Sequence, residues 1–391
     1  MSNSRCRKAR QLGKSIILAN SHAETGKVRK GELVRDPTSG MIPSHTFWSG
    51  KTVCVTGGTG FLGFQIVRQL VAAGARVRSL ALLPAGTHPI FAFKSVENHF
   101  GDVCDAQFVR EVVAECDVIF HTAGPVALWG PGLTRMHEIH VTGTRNVLDA
   151  TSPQARVVYT SSVVTVGASY GRPMTEDDTW NLGGLRLEYV QAKQAAEELA
   201  LAAAAQGRDV VVMNPALLIG PEDHEGSIMG RFCLRFWKGK IPLTPHGDLN
   251  LVDVRDVAVG HLLAAERGQL GRRYILGGQN TSFPDLILLM ASVAGVRPRV
   301  IGPIPSWVQW VIAAGAELRA VFRQREPYPS FQHVRFTQLT LFYDCSRARD
   351  ELAFHPQPLK DSVRDTFDWY ATRHSMRLRG FRRFWMRPES E

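Results

Sequence analysis

The sequence has little of what disulfide-held or membrane-spanning proteins need. Its six cysteines (Cys6, Cys54, Cys104, Cys116, Cys233, Cys345) form no Cys-x-x-Cys pair and no cluster. Several sit in apolar runs, where a thiol behaves as a small buried hydrophobe, so a reducing, cytoplasmic setting is expected. No apolar run reaches the ~18 residues of a membrane span, and the longest tempting one runs only from Trp307 to Ala316. The basic N-terminus offers Ser15 to Ala19 as its only apolar stretch, short of the ~7–15 residues of a signal-peptide core. Charge is also missing where a nucleic-acid binder needs it. Residues 1–50 hold nine Lys/Arg against three Asp/Glu, and residues 371–391 hold six Arg against two Glu, which accounts for the whole net charge of +10. The body between them is electrically balanced, which argues against nucleic acid as a partner. What is present is ordinary for a globular protein: 391 residues, 44% hydrophobic and 21% charged, enough for one large domain or two intimate ones.

Residues 1–50 lack periodicity and read as a disordered, basic extension. From Lys51 strands and helices alternate: Thr52–Thr56, a glycine-rich turn, a helix from Phe61 to Ala73, and a strand from Arg76 to Leu83. A helix over Val109–Glu115, a strand over Val118–Phe120 and a helix over Val141–Ala150 follow. Strand Val157–Tyr159, an Ala-rich helix Tyr189–Ala205 and strand Val210–Met213 complete the series. Strands apolar on both faces, each followed by a helix, predict an α/β fold with a doubly wound parallel sheet. After Asn214 prolines become frequent. One further strand–helix unit, Leu249 to Arg267, is expected to return the chain to the sheet within 249–280, while 214–248 and 281–370 make a smaller C-terminal substrate lobe. Residues 371–391 form a basic, aromatic tail.

The turn Thr56-Gly57-Gly58-Thr59-Gly60-Phe61-Leu62-Gly63 lies between a strand and a helix. Gly57 permits the tight turn, Gly60 lets backbone approach a pyrophosphate, and Gly63 allows close helix–sheet packing. The N–H groups opening the helix, including those of Phe61 and Leu62, face the phosphates. Dinucleotide binding, and with it a Rossmann-type sheet, follows from this context.

The same glycine spacing resembles the fingerprint of the short-chain dehydrogenase/reductase superfamily, and four further landmarks fall in that family's order. Gly101-Asp102-Val103 resembles the segment that binds the adenine amine. His121-Thr122-Ala123-Gly124 resembles the strand end beside the cofactor. Tyr159-Thr160-Ser161-Ser162 resembles the strand carrying the catalytic hydroxyl, and Tyr189-Val190-Gln191-Ala192-Lys193 matches the Tyr-x-x-x-Lys pair. The likeness covers Lys51 to about Tyr370 and is to the extended subfamily (the NAD-dependent epimerase/dehydratases). Within it, dihydroflavonol-4-reductase-like and hopanoid-associated sugar epimerase-like proteins are the most similar, through Val211 to Pro215, Gly220-Pro221, Leu249 to Val254 and Arg273 to Gly278, and the activity this implies is dihydroflavonol-reductase-like or 3β-hydroxysteroid-dehydrogenase-like. The resemblance implies catalytic Ser162, Tyr189 and Lys193. It implies cofactor contacts from Gly57, Gly60, Phe61, Leu62, Gly63, Asp102, Val103, Thr122, Ala123, Gly124, Tyr189, Lys193 and Pro215.

The chemistry supports those roles. Residues four apart share a helix face, so Tyr189 and Lys193 point together. A tyrosine titrates near ~10, and an adjacent ammonium is expected to lower that value. Tyr189 then serves as general acid in carbonyl reduction or base in alcohol oxidation, Lys193 holds the nicotinamide ribose, and Ser162 binds the substrate oxygen. Ser161 competes for that last role, but alternation lets only one of the two serve, and the register counted back from Gly167 favours Ser162.

Two positions depart from the pattern. His140 stands where extended members usually carry Asn. Paired with His137 it hints at a metal, but with no third ligand a structural role is favoured and no metal is expected. After the second strand Ser79 to Leu83 offers neither the acidic residue of NAD enzymes nor a well-aimed Arg, with Arg78 turned away by alternation, so NAD and NADP remain equal candidates. Dehydration is disfavoured by Val163-Val164 where dehydratases carry an acidic pair. Epimerisation of a nucleotide sugar, the alternative function, is weakened by Leu249 where a diphosphate-clamping Arg is usual. A non-catalytic dinucleotide sensor typically lacks the Tyr or the Lys, and both are here. The expected activity is therefore interconversion of a ketone and a secondary alcohol on a fairly apolar small molecule, with Leu128, Trp129 and Asn214 as substrate contacts. Phe381, Phe384, Trp385 and Met386 interleave with tail arginines, a mix suited to the periphery of an anionic membrane, although packing of these aromatics on the body is preferred. A homodimer is compatible with the sequence.

Overall fold

The computed structural model describes residues 43–374, apart from 83–86, 128–131, 186, 299–301 and 324–325. Leu128, Trp129 and the aromatic part of the basic tail therefore lie outside the described residues. The strands are β1 (Thr52–Thr56), β2 (Arg76–Ala81), β3 (Val96–Phe100), β4 (Val118–His121), β5 (Arg156–Thr160), β6 (Val210–Pro215), β7 (Leu217–Ile219), β8 (Asp248–Asp253), β9 (Arg273–Leu276) and β10 (Gln279–Ser282). The helices are α1 (His45–Trp48), α2 (Phe61–Ala72), α3 (Ala106–Val113), α4 (Gly132–Ala150), α5 (Glu188–Ala205) and α6 (Ile228–Trp237). They continue with α7 (Val254–Arg267), α8 (Phe283–Val293), α9 (Ser306–Arg323), α10 (Phe331–Phe336), α11 (Ser346–Leu352) and α12 (Leu359–His374).

Seven parallel strands make the main sheet in the order β3-β2-β1-β4-β5-β6-β9. The chain winds outward from β1 to β3, then crosses to β4 and winds the other way. The carboxyl ends of β1 and β4 thus border the crevice at the switch in strand order, where such sheets bind ligands. Helices α2 and α7 pack together, as do α3, α4 and α5. Strands β1, β4, β5 and β6 are almost wholly buried, as expected of strands covered on both faces.

Several boundaries moved, each for a local reason. Strand β3 was not foreseen because it is an edge strand of mixed polarity, Val-Glu-Asn-His-Phe. Helix α4 begins nine residues before the expected Val141, with Met136 and His140 already buried inward. The extension ends sooner than residue 50: Ser44 caps α1, and Trp48 is buried with its indole N–H donating to Glu266 (2.6 Å). The return to the main sheet expected over 249–280 is made by β9. Strand β8 instead centres a three-stranded sheet, β10-β8-β7, that leads into the smaller lobe. That lobe has its own core of Phe236, Trp237, Leu286, Met290 and Val363 from α6, α8 and α12. Among the described residues no helix is long and apolar enough to cross a membrane.

Candidate active site

A cavity of about 760 Å³ runs from the glycine turn into the smaller lobe. Gly57, Gly60, Phe61, Leu62 and Gly63 line its start, and each glycine is there for a different reason. Gly57 has φ +72°, a left-handed conformation, and a Cβ there would lie 2.9 Å from the Ala123 backbone. A Cβ on Gly63 would run into the Gly57 carbonyl oxygen. At Gly60 a Cβ would meet only that carbonyl, at 3.2 Å, leaving its other side open. No side chain caps α2, so its N-terminal amides remain available beside the cavity. These residues fit a dinucleotide: a tight turn, an open approach at Gly60 and an uncapped helix end for the phosphates.

Further along the wall the ends of β5 and β6 and the first two turns of α5 bring Ser162, Pro215, Tyr189 and Lys193 to the cavity, with Thr122 and Gly124 from the end of β4. Ser162 heads a short 3₁₀ turn and Tyr189 and Lys193 are on one face of α5, as expected. Burial raises the Tyr189 phenol, and the opposing influence comes from the Ser162 hydroxyl. The phenol thus lies above its usual value here, where the adjacent ammonium was expected to bring it down. Lys193 is buried, its ammonium donates to the Thr160 carbonyl (2.9 Å), and burial pulls its pKa down to about 8 against the attraction of Glu197. Ser161 also borders the cavity, but its hydroxyl is hydrogen-bonded to Thr165 (3.2 Å), which leaves Ser162 as the hydroxyl facing Tyr189.

Other expected contacts lie elsewhere. Asp102 accepts from the Cys104 amide (2.9 Å) and pairs with Arg135 (2.7 Å), while the Val103 side chain packs in the core over Gly143, and neither borders this cavity. Ala123 sits behind it, its N–H donating to Thr56 Oγ1 (3.2 Å). Asn214 is not a substrate contact: it is fully buried, and its amide nitrogen lies 2.7 Å from Glu197, 2.8 Å from Thr165 and 3.2 Å from the Ser162 carbonyl. Arg78 pairs with Glu97 (3.2 Å) and bonds the Ala114 carbonyl (2.7 Å), so alternation did turn it away. His137 is exposed while His140 is buried, and no metal-binding cluster occurs among the described residues. His140 Nε2 is 3.0 Å from the Pro125 carbonyl and its ring packs against Tyr189. Burial holds that imidazole well below its usual pKa, hence neutral.

Sequence reasoning missed Glu197, Thr165 and Arg273. Thr165 donates to Glu197 (2.6 Å) and Arg273 Nε lies 2.9 Å from the same carboxylate, forming with Asn214 a buried knot behind the Ser162 turn. The available signal was the spacing: Glu197 follows Lys193 by one helical turn and so shares its inward face.

A family profile described as the NAD dependent epimerase/dehydratase family matches residues 53–277. The chain belongs to that family. A Synechocystis sp. protein named as a dihydroflavonol 4-reductase is 34% identical over 334 residues, covering 83% of this chain and 96% of that one. Sterol demethylase protein B of Methylococcus capsulatus is 29% identical over 326 residues, covering 82% of this chain and 99% of that one. The crystal structure of gox2253 superimposes with a TM-score of 0.73 at 29% identity, covering 84% of this chain and all of that one, 100%. The protein is an NAD(P)-dependent oxidoreductase of the extended short-chain dehydrogenase/reductase type, with a Rossmann-type sheet.

Proposed function

We propose that the enzyme interconverts a ketone and a secondary alcohol on a fairly apolar small molecule. The observation that carries this is the far wall of the cavity. Its lobe-side lining includes Met229, Phe232, Leu243, Phe283, Ile304 and Ile312, an apolar majority that suits hydrocarbon, with Asp223, Glu225, Gln309 and His333 among them as polar points. A nicotinamide held there would supply or accept the hydride. In reduction, the Ser162 hydroxyl donates to the carbonyl oxygen as negative charge develops, and the Tyr189 phenol delivers the proton. Lys193, tied to Thr160, would place its positive charge near the developing phenolate and would hold the ribose hydroxyls. The glycine turn and the α2 amides would hold the diphosphate. Oxidation runs the same steps in reverse.

Nucleotide-sugar epimerisation is the second reading, favoured by Arg231 and Lys240 on the cavity wall. Against it, Leu249 is buried within β8 and offers no clamp. A screen of NADH and NADPH oxidation against ketones, flavanonols, sterones and nucleotide sugars separates the two. Net cofactor oxidation with apolar ketones supports the proposal, while epimerised nucleotide sugars without net cofactor change refute it. The screen also decides between NAD and NADP.

A further inference from the structure

Helix α9 carries its large apolar residues on the wrong side for a globular domain. Its buried positions are Gln309, Ala313, Ala316 and Ala320. At ~3.6 residues per turn, Trp307, Val311, Leu318 and Phe322 fall in one stripe on the opposite side, with exposures of 69%, 63%, 63% and 79%. Five of the thirteen large hydrophobic side chains exposed among the described residues sit on this one helix, so the patch is not scattered surface. Charge accompanies it: within α9 the charged residues are Arg319, Arg323 and Glu317. Arg319 and Arg323 are exposed beside the stripe, while Glu317 is engaged, accepting from the Phe331 amide (3.2 Å).

We propose that α9 seats the enzyme on an anionic lipid surface, its stripe entering the boundary between headgroups and acyl chains and its arginines lying among the phosphates. An interfacial helix needs this combination of Trp, Leu and Phe on one face with Arg beside them. A second copy of the chain answers the chemistry less well, because a two-fold contact presents the same patch to itself and brings one arginine flank near the other. Anionic headgroups answer Arg319 and Arg323 directly. The inner side of the same helix borders the cavity through Gln309 and Ile312, so the exposed stripe and the cavity lie on opposite sides of α9. The proposal deepens the apolar-substrate reading, but its test reads vesicle binding rather than turnover, so either can fail alone.

The experiment is flotation of the full chain with phosphatidylcholine vesicles, with and without about one-third phosphatidylglycerol. Trp307→Ser/Leu318→Ser/Phe322→Ser should lower the partition coefficient by about tenfold or more while leaving cofactor binding unchanged. Arg319→Gln/Arg323→Gln should weaken binding only to the anionic vesicles, as should high salt. A full chain with the six arginines of 371–391 changed to glutamine measures the tail separately, and α9-dependent binding should persist in it. Absence of flotation at low salt, or equal flotation of the triple variant, overturns the proposal. So does a wild-type dimer in light scattering that the triple variant abolishes without any vesicle binding, which would make the stripe an interface between copies.

Discussion

Lys193 offers a prediction in which stability and activity move in opposite directions. Its ammonium is buried and its pKa lies at about 8 rather than at the usual 10.5. At pH 7 the folded state therefore carries a charge it would rather release, at a cost of about 3 kcal/mol by the linkage of ~1.4 kcal/mol per pKa unit. The Thr160 hydrogen bond recovers about 1 kcal/mol when the lysine is present. Lys193→Met removes both, so folding should become more stable by about 2 kcal/mol at pH 7, a rise in Tm on the order of 4 °C. The sign follows from a folded-state pKa below the unfolded one. The penalty is fully present below pH 8 and disappears as pH rises towards 10.5. The Tm difference should therefore be constant through the acidic range and shrink in alkali, while cofactor affinity and turnover are weakened throughout. Thermal unfolding followed by circular dichroism at a series of pH values reads this directly. A variant less stable than wild type at pH 7, or a Tm difference unchanged into alkali, would refute the account of Lys193 as a buried charge held for chemistry.

Tyr189→Phe should keep fold and cofactor affinity but lose about 10²–10⁴ in turnover, since only the proton donor is removed; near-normal rates on any active substrate would eliminate the mechanism. Gly60→Glu should abolish the quenching of intrinsic Trp fluorescence by NADH or NADPH, because a carboxylate would occupy the open side of the turn. Asn214→Ala should destabilise the fold by about 2–3 kcal/mol, as Glu197 and Thr165 lose a buried partner. It should also lower kcat more than it raises KM by loosening the Ser162 turn, and denaturant titration beside steady-state kinetics distinguishes this from a substrate contact, which would move KM first.

The sheet and the chemistry were legible in the sequence for one reason: both depend on short-range spacing. Strands buried on both faces read as apolar runs, a turn with φ +72° demands Gly57, and residues one helical turn apart share a face, which pairs Tyr189 with Lys193. Wherever a role depends on what packs behind a residue, sequence proximity misled. Asn214 lies near the end of β6 beside the cavity-lining Pro215, yet its side chain is buried against Glu197 and Thr165, which Arg273 in turn pairs with. Lys193 lies next to Tyr189 on the helix, yet Thr160 claims its ammonium from across the sheet. The apolar run Trp307 to Ala316 does not say which side of α9 meets the body; Gln309, Ala313, Ala316 and Ala320 face inward and Trp307 is left in solvent. Local spacing specifies which groups can act together, whereas burial, and with it the pKa values and the faces left open, exists only once distant segments have closed over them.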